Sequence, residues 1–229
     1  MLMEDAIAML QLHEVPGKAA KMRAYYKVER AYWGLTTLVL DDQARQWRQE
    51  LSLANRLQLA AELWESNAHE GRICAAKLLT QARIRPDDCA AWQLLQTWLA
   101  DVDCAAICDH LCLAGHRRLS ADLTRIDEMS KWPQSPHLWT RRAALAMTLP
   151  WAKMRDPNAA NLAIRERALE CAAELAEDPS KIIQQGIAEW IYELSRKSPE
   201  RAQAFLDAHG NKLRNAARKD ASRKLPTPA

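Results

Sequence analysis

Helix-breaking residues recur along this chain at short intervals and leave amphipathic segments of roughly 10 to 18 residues between them. The breaks are Pro16-Gly17, Ser52, Ser66-Asn67, Pro86, Gly115, Pro133 to Pro136, Pro157, Pro179, Pro199 and Gly210. Segments of that length suit helices of three to five turns and are long for strands. Their filling agrees: Ala and Leu dominate, while Val occurs only four times and Gly six, so the best helix formers are enriched and β-branched residues are scarce. Arg85-Pro86-Asp87-Asp88 and Asp178-Pro179-Ser180 read as helix starts, with Pro near the first turn and acids facing the helix dipole. Short helices on short turns, without long heptad runs, predict an all-α fold. The architecture expected is an α-solenoid of antiparallel helix pairs, in HEAT-like repeats, rather than a coiled coil. One such domain is expected over residues 1–224, with a disordered tail at 225–229.

Charge and cysteine content narrow the partners. The formal net charge is +3, which makes no whole-chain case for nucleic acid, so the distribution of charge decides. Lys212, Arg214, Arg218, Lys219, Arg223 and Lys224 fall within one predicted C-terminal helix. A second cluster joins Arg141 and Arg142 with Lys153 and Arg155, and a third joins Lys18, Lys21, Arg23, Lys27 and Arg30. One charged helix face is most often merely solvated. In a solenoid, however, equivalent helices line one side, so separate patches can form a continuous basic groove. Cys104, Cys108 and Cys112 are spaced by four residues, with His110 and His116 nearby. Thiolates placed so on one helix diverge along its axis and do not close around one zinc, so they read as small core residues. No metal and no cofactor are expected, and free thiols suit a reduced compartment. The N-terminus lacks a signal pattern and no apolar run is long enough for a bilayer, so no membrane partner and a cytoplasmic location are expected.

Asp109 stands out within the apolar, predicted-helical run from Val102 to Cys112. Ala105, Cys108 and Cys112 are read on its side of that helix. A carboxylate among small apolar neighbours either finds a partner or has a chemical task, because burying a bare charge is costly. The plain alternative is a surface acid. No Gly-rich phosphate loop, nucleophile elbow or His-Glu-x-x-His metal motif offers a competing centre.

Several segments in order carry a resemblance over roughly residues 5 to 224: Met22–Lys27, Tyr32–Gly34, Trp64–Leu79, Ile107–His110, His137–Leu145 and Ile187–Trp190 before Pro199. Together they resemble the AlkD-type alkylpurine DNA glycosylases, the HEAT-like DNA alkylation repair family. The resemblance implies that Asp109 is the catalytic carboxylate and Arg142 the arginine that positions DNA or water. It implies that Tyr26 stacks beside the lesion. Lys27, Arg141, Lys212, Arg218 and Lys219 are the further DNA-binding candidates. The family also packs two tryptophans against the deoxyribose of the damaged nucleotide. This chain has Ala105 at the first of those places and Glu189 at the second, with Trp190 one residue beyond. One residue rotates a side chain about 100° around a helix, so Trp190 takes that place only if the register shifts by one.

The implied partner is double-stranded DNA containing alkylated bases, bound by a monomer. The implied reaction is hydrolysis of the N-glycosidic bond of a cationic N3- or N7-alkylated purine. A HEAT-like protein that grips distorted or branched DNA with weak or no excision is the alternative, and a protein-interaction scaffold is a third reading.

Overall fold

Local side chains set the helix starts. Thr36, Ser52, Asn158 and Ser180 each accept a hydrogen bond from a backbone N–H in the first turn that follows, at 2.9–3.3 Å. Such caps satisfy donors that a helix leaves unpaired. The computed structural model describes residues 3–225, so residues 226–229 of the expected tail lie outside the described residues. Among the described residues there is no strand, only an isolated bridge between Ala31 and Ala68. The fold is all-α, as expected.

The chain divides into two compact units, Met1–Ala121 and Asp122–Ala229. The first holds α1 (Met3–Gln11), α2 (Lys18–Tyr26), α3 (Thr37–Glu50), α4 (Leu53–Glu65), α5 (His69–Leu78), α6 (Cys89–Leu99) and α7 (Ala105–Ala121). At its centre α5 packs on α3, α4 and α7 and is buried along its whole length except at Arg72. A Cβ at Gly71 would lie 2.8 Å from Ser66 Oγ and 2.9 Å from the Leu63 carbonyl oxygen, so glycine is what lets α5 close on α4. Buried Glu70 accepts the backbone N–H groups of Trp33 and Leu35, both at 3.0 Å, and pins the chain before α3.

The second unit holds α8 (Ile126–Met129), α9 (Leu138–Ala146), α10 (Leu149–Ala152), α11 (Ala159–Glu174), α12 (Lys181–Ser195), α13 (Pro199–His209) and α14 (Asn215–Ser222). Here α12 is the central helix, packed on α9, α10, α13 and α14. Ile183, Ile187, Trp190, Ile191 and Leu194 form its buried stripe. Buried Gln184 donates to the carbonyls of Ala176 and Asp178 and accepts the Arg214 N–H at 2.9 Å, fixing the start of α14.

Three local expectations change. Gly115, read as a break, lies buried inside α7. Glycine costs a helix only about 1 kcal/mol against alanine, and packing outweighs that. The C-terminal basic residues do not share one helix: α14 contains Arg218 and Lys219, while Lys212, Arg214, Arg223 and Lys224 flank it. The chain between α13 and α14 turns at Gly210, where Leu213 is buried. The third concerns the sides of α7.

Candidate functional site

On α7 the outward stripe is Ala105, Asp109, Leu113 and Arg117, all exposed and four residues apart. Cys108 and Cys112 turn into the core instead, their Sγ atoms 3.8 Å apart, and Cys104 is also buried. The thiols are core residues, as read from the sequence. They do not share the side of Asp109, because α5 and α6 pack on the face that the cysteines occupy.

His110 follows Asp109 and is half-buried. Burial, and then the charge of Lys77, hold its imidazole down at about 4, against the opposite pull of Asp41 and Asp109. His69, at the first turn of α5, is 1% exposed. Burial, and then the charges of Arg30 and His110, hold it at about 4 as well. Both rings are therefore neutral at neutral pH.

Tyr26, at the end of α2, packs on His69 with ring centroids 4.2 Å apart. Tyr32 stacks on the same imidazole at 5.3 Å. Beside them the Arg30 side chain, 2% exposed, pairs with Asp103 just before α7. Lys27 is exposed and closes α2 with a left-handed φ of 56°. Tyr26 is thus half-buried in a cluster drawn from the ends of α2, α5 and the loop before α7. Sequence spacing did not join His69 and Tyr32 to Tyr26, or Arg30 to Asp103, because these groups meet only through the fold.

The two histidines give an expected pH dependence. An imidazole depressed from its ordinary 6.5 to about 4 binds its proton more readily in the unfolded chain. The stability it contributes is complete above pH 6.5 and falls as the pH drops through about 4. Urea midpoints across that window should show a slope of up to about 1.4 kcal/mol per pH unit from each ring. Exchange of His69 for Phe should remove one proton's share of the slope. An unchanged slope would assign the acid sensitivity elsewhere.

In the second unit, Arg141 is engaged in holding the backbone. Its Nε–H donates to Asp178 Oδ2 at 2.7 Å, and its Nη1 donates to the carbonyls of Ser135 and Pro136 at 2.9 Å. Arg142, next on α9, is half-buried. The helix α12 runs without a bulge, so Glu189 and Trp190 face different ways. Glu189 is exposed, whereas Trp190 is wholly buried and donates its indole N–H to Thr148 Oγ1 at 3.3 Å. Glu189 borders an open groove of about 380 Å³ with Gln185, Tyr192, Glu193, Asp220 and Arg223. The Arg223 guanidinium lies over the Tyr192 ring at 4.6 Å. Arg218 and Lys219 are exposed on α14, and Lys212 makes a loose pair with Glu177 at 3.9 Å.

Trp98, seven residues before Ala105, stacks on Trp64 at 4.7 Å and is 4% exposed. Among the described residues, no group of three or more His, Cys, Asp or Glu side chains is arranged to hold a metal ion. No helix is long and apolar enough to cross a membrane among those residues.

Short helices packed on one another, with no strand among the described residues, define an all-α protein. The chain belongs to the DNA alkylation repair enzyme family, whose profile matches residues 6–225. Its fold is similar to that of a protein from Enterococcus faecalis described as a predicted DNA alkylation repair enzyme. That likeness has a TM-score of 0.74 at 17% identity and covers 96% of this chain and 100% of the other. It is also similar to AlkD2 from Streptococcus mutans, with a TM-score of 0.71 at 16% identity over 99% of this chain and 100% of the other. No curated protein matches it in sequence.

Proposed function

We propose that this protein acts on alkylated duplex DNA and hydrolyses the N-glycosidic bond of a cationic N3- or N7-alkylpurine, with Asp109 as its catalytic carboxylate. The observation that carries the reading is the outward position of Asp109 on α7, in a chain of the DNA alkylation repair enzyme family. Ala105, one turn earlier on the same stripe, is small and exposed.

The chemistry needs little else. An alkylated purine is already positive, so it departs without being protonated by the enzyme. As the bond from C1′ to the base nitrogen breaks, its electron pair neutralises the base, and positive charge grows on the sugar. A nearby carboxylate stabilises that charge more than it stabilises the ground state. Water then bonds to C1′ and gives up a proton, which the same carboxylate can accept. This differs from ordinary glycoside hydrolysis, where a second carboxyl group protonates the leaving group. Arg142 is assigned the orienting role, and Lys27, Arg218 and Lys219 contacts to phosphate. The protein is assigned as a monomer working in the cytoplasm.

The test is single-turnover release of methylated purine from alkylated duplex DNA, read against spontaneous depurination. Release above the spontaneous rate supports the reading. Release at the spontaneous rate with DNA binding intact gives the function to a second reading, a binder of distorted or branched DNA without rapid excision. One observation favours that second reading: Ala105 is exposed where the resemblance implies a tryptophan, and Trp98 and Trp190 are both committed to the core. An aromatic face is worth on the order of 0.5–2 kcal/mol to an adjacent cation. Exchange of Ala105 for Trp is therefore expected to raise single-turnover excision by a few-fold to about thirtyfold. A rate unchanged by that substitution would show that position 105 does not face the sugar.

A further inference from the structure

The core does not explain α2. None of its nine residues is buried, yet an isolated helix of that length is not stable in water and ordinarily relies on burying one face. It is tied down at its ends. Gly17 starts it with φ 75°, and just before it the Val15 N–H donates to the Gly34 carbonyl at 3.2 Å. At the far end Tyr26 packs on His69, and Lys27 closes the helix.

Between those ties, Lys18, Lys21, Met22 and Tyr25 fall three, four and seven residues apart and share one face. Tyr25 is 79% exposed. It meets Tyr26 edge-on, with centroids 5.0 Å apart and planes at 89°. Tyr26 is itself held by His69 and lies parallel to Tyr32 at 6.2 Å, so it gives the outer ring a fixed support. The helix carries three cations and no acid. Among the described residues no ion pair engages Lys18, Lys21 or Lys27. A row of uncommitted cations beside a projecting flat ring complements a phosphate backbone that presents an unstacked base.

We propose that the Lys21–Tyr25 face of α2 is a stacking platform for an unpaired DNA base, giving preference for a duplex with an extruded nucleotide over a fully paired one. This rests on DNA being the partner, and it assigns recognition of strand distortion to residues outside the bond-breaking chemistry. Lys21 pairs with a phosphate beside the displaced base, and the Tyr25 ring takes the base itself.

The experiment compares two unmethylated duplexes, one carrying a single bulged fluorescent adenine analogue and one fully paired. Affinity is read by anisotropy at fixed salt, and stacking by quenching of the analogue. The parent should bind the bulged duplex more tightly and quench it. Exchange of Tyr25 for Ala should weaken binding of the bulged duplex about tenfold more than binding of the paired one, and should abolish quenching. Exchange of Tyr25 for Phe, which keeps the ring, should retain both. Exchange of Lys21 for Gln should reduce the logarithmic salt slope on both duplexes by about one. Equal binding of the two duplexes by the parent, or an alanine variant that behaves as the parent, overturns this inference and leaves DNA as the partner. A parent that binds neither duplex at low salt overturns both.

Discussion

Exchange of Asp109 for Asn is expected to slow single-turnover release of methylated purine by about 100-fold to 1,000-fold. Where the parental enhancement is smaller than that, the variant should fall to the spontaneous rate. Asparagine has the same shape and keeps a hydrogen-bonding side chain, but it has lost the charge that stabilises the sugar cation and the basicity that takes the proton from water. Asp109 is exposed on α7, and a urea midpoint unchanged by the substitution would mark the loss of rate as chemical rather than structural. DNA affinity measured on the same sample should hold or rise slightly, since a negative charge facing a polyanion has been removed. A variant that excises at the parental rate would move the chemistry away from α7.

Exchange of Arg118 for Met is expected to destabilise the protein by about 3–5 kcal/mol, a large part of the 5–15 kcal/mol or so that a domain has. Arg118 is fully buried on α7 and donates to Asp88 Oδ2 at 2.9 Å. It also donates to the carbonyls of Gln81 and Ala82. These bonds tie the second half of α7 to the loop that precedes α6. Methionine fills similar space, but it takes the guanidinium away from the Asp88 carboxylate, only 11% exposed on its side chain. Its effect should appear as a lower urea midpoint with the slope of the transition unchanged. Adding an exchange of Asp88 for Asn should recover part of the loss, because the buried negative charge goes with it. A loss below about 1 kcal/mol in the single variant would mean that water reaches this pair.

The open groove beside Glu189 bears on catalysis differently. Glu193 and Asp220 border it with Glu189, and like charges gathered there disfavour a phosphate backbone. The position that the resemblance gives to a tryptophan is thus acidic and open, while the neighbouring Trp190 is sealed beneath it. That contrast makes the Ala105 substitution informative, because a ring placed there would stand one turn from Asp109 on the same exposed stripe of α7.

Local chemistry was enough to write the helices. Ser52, Asn158 and Ser180 cap because a short side-chain oxygen reaches the next turn's N–H groups whatever surrounds them. The scarcity of β-branched residues left no competing strand. Gly115 was misread because a glycine's effect depends on what packs against it, and in α7 it is buried. Asp109 was recognisable in its string, yet whether it faced Cys108 and Cys112 or the solvent depended on which side α5 and α6 cover. A helix presents every side at once, and only its neighbours choose the dry one. The same holds for Trp190, whose burial follows from the straight run of α12. The cluster of Tyr26, Tyr32 and His69 was invisible in the chain order, since its members come from separate elements and no spacing rule links them. Hydrogen bonds between near neighbours are set by sequence; burial, the partners of distant residues and the neutral state of the two histidines were set by packing, which removes water from chosen faces.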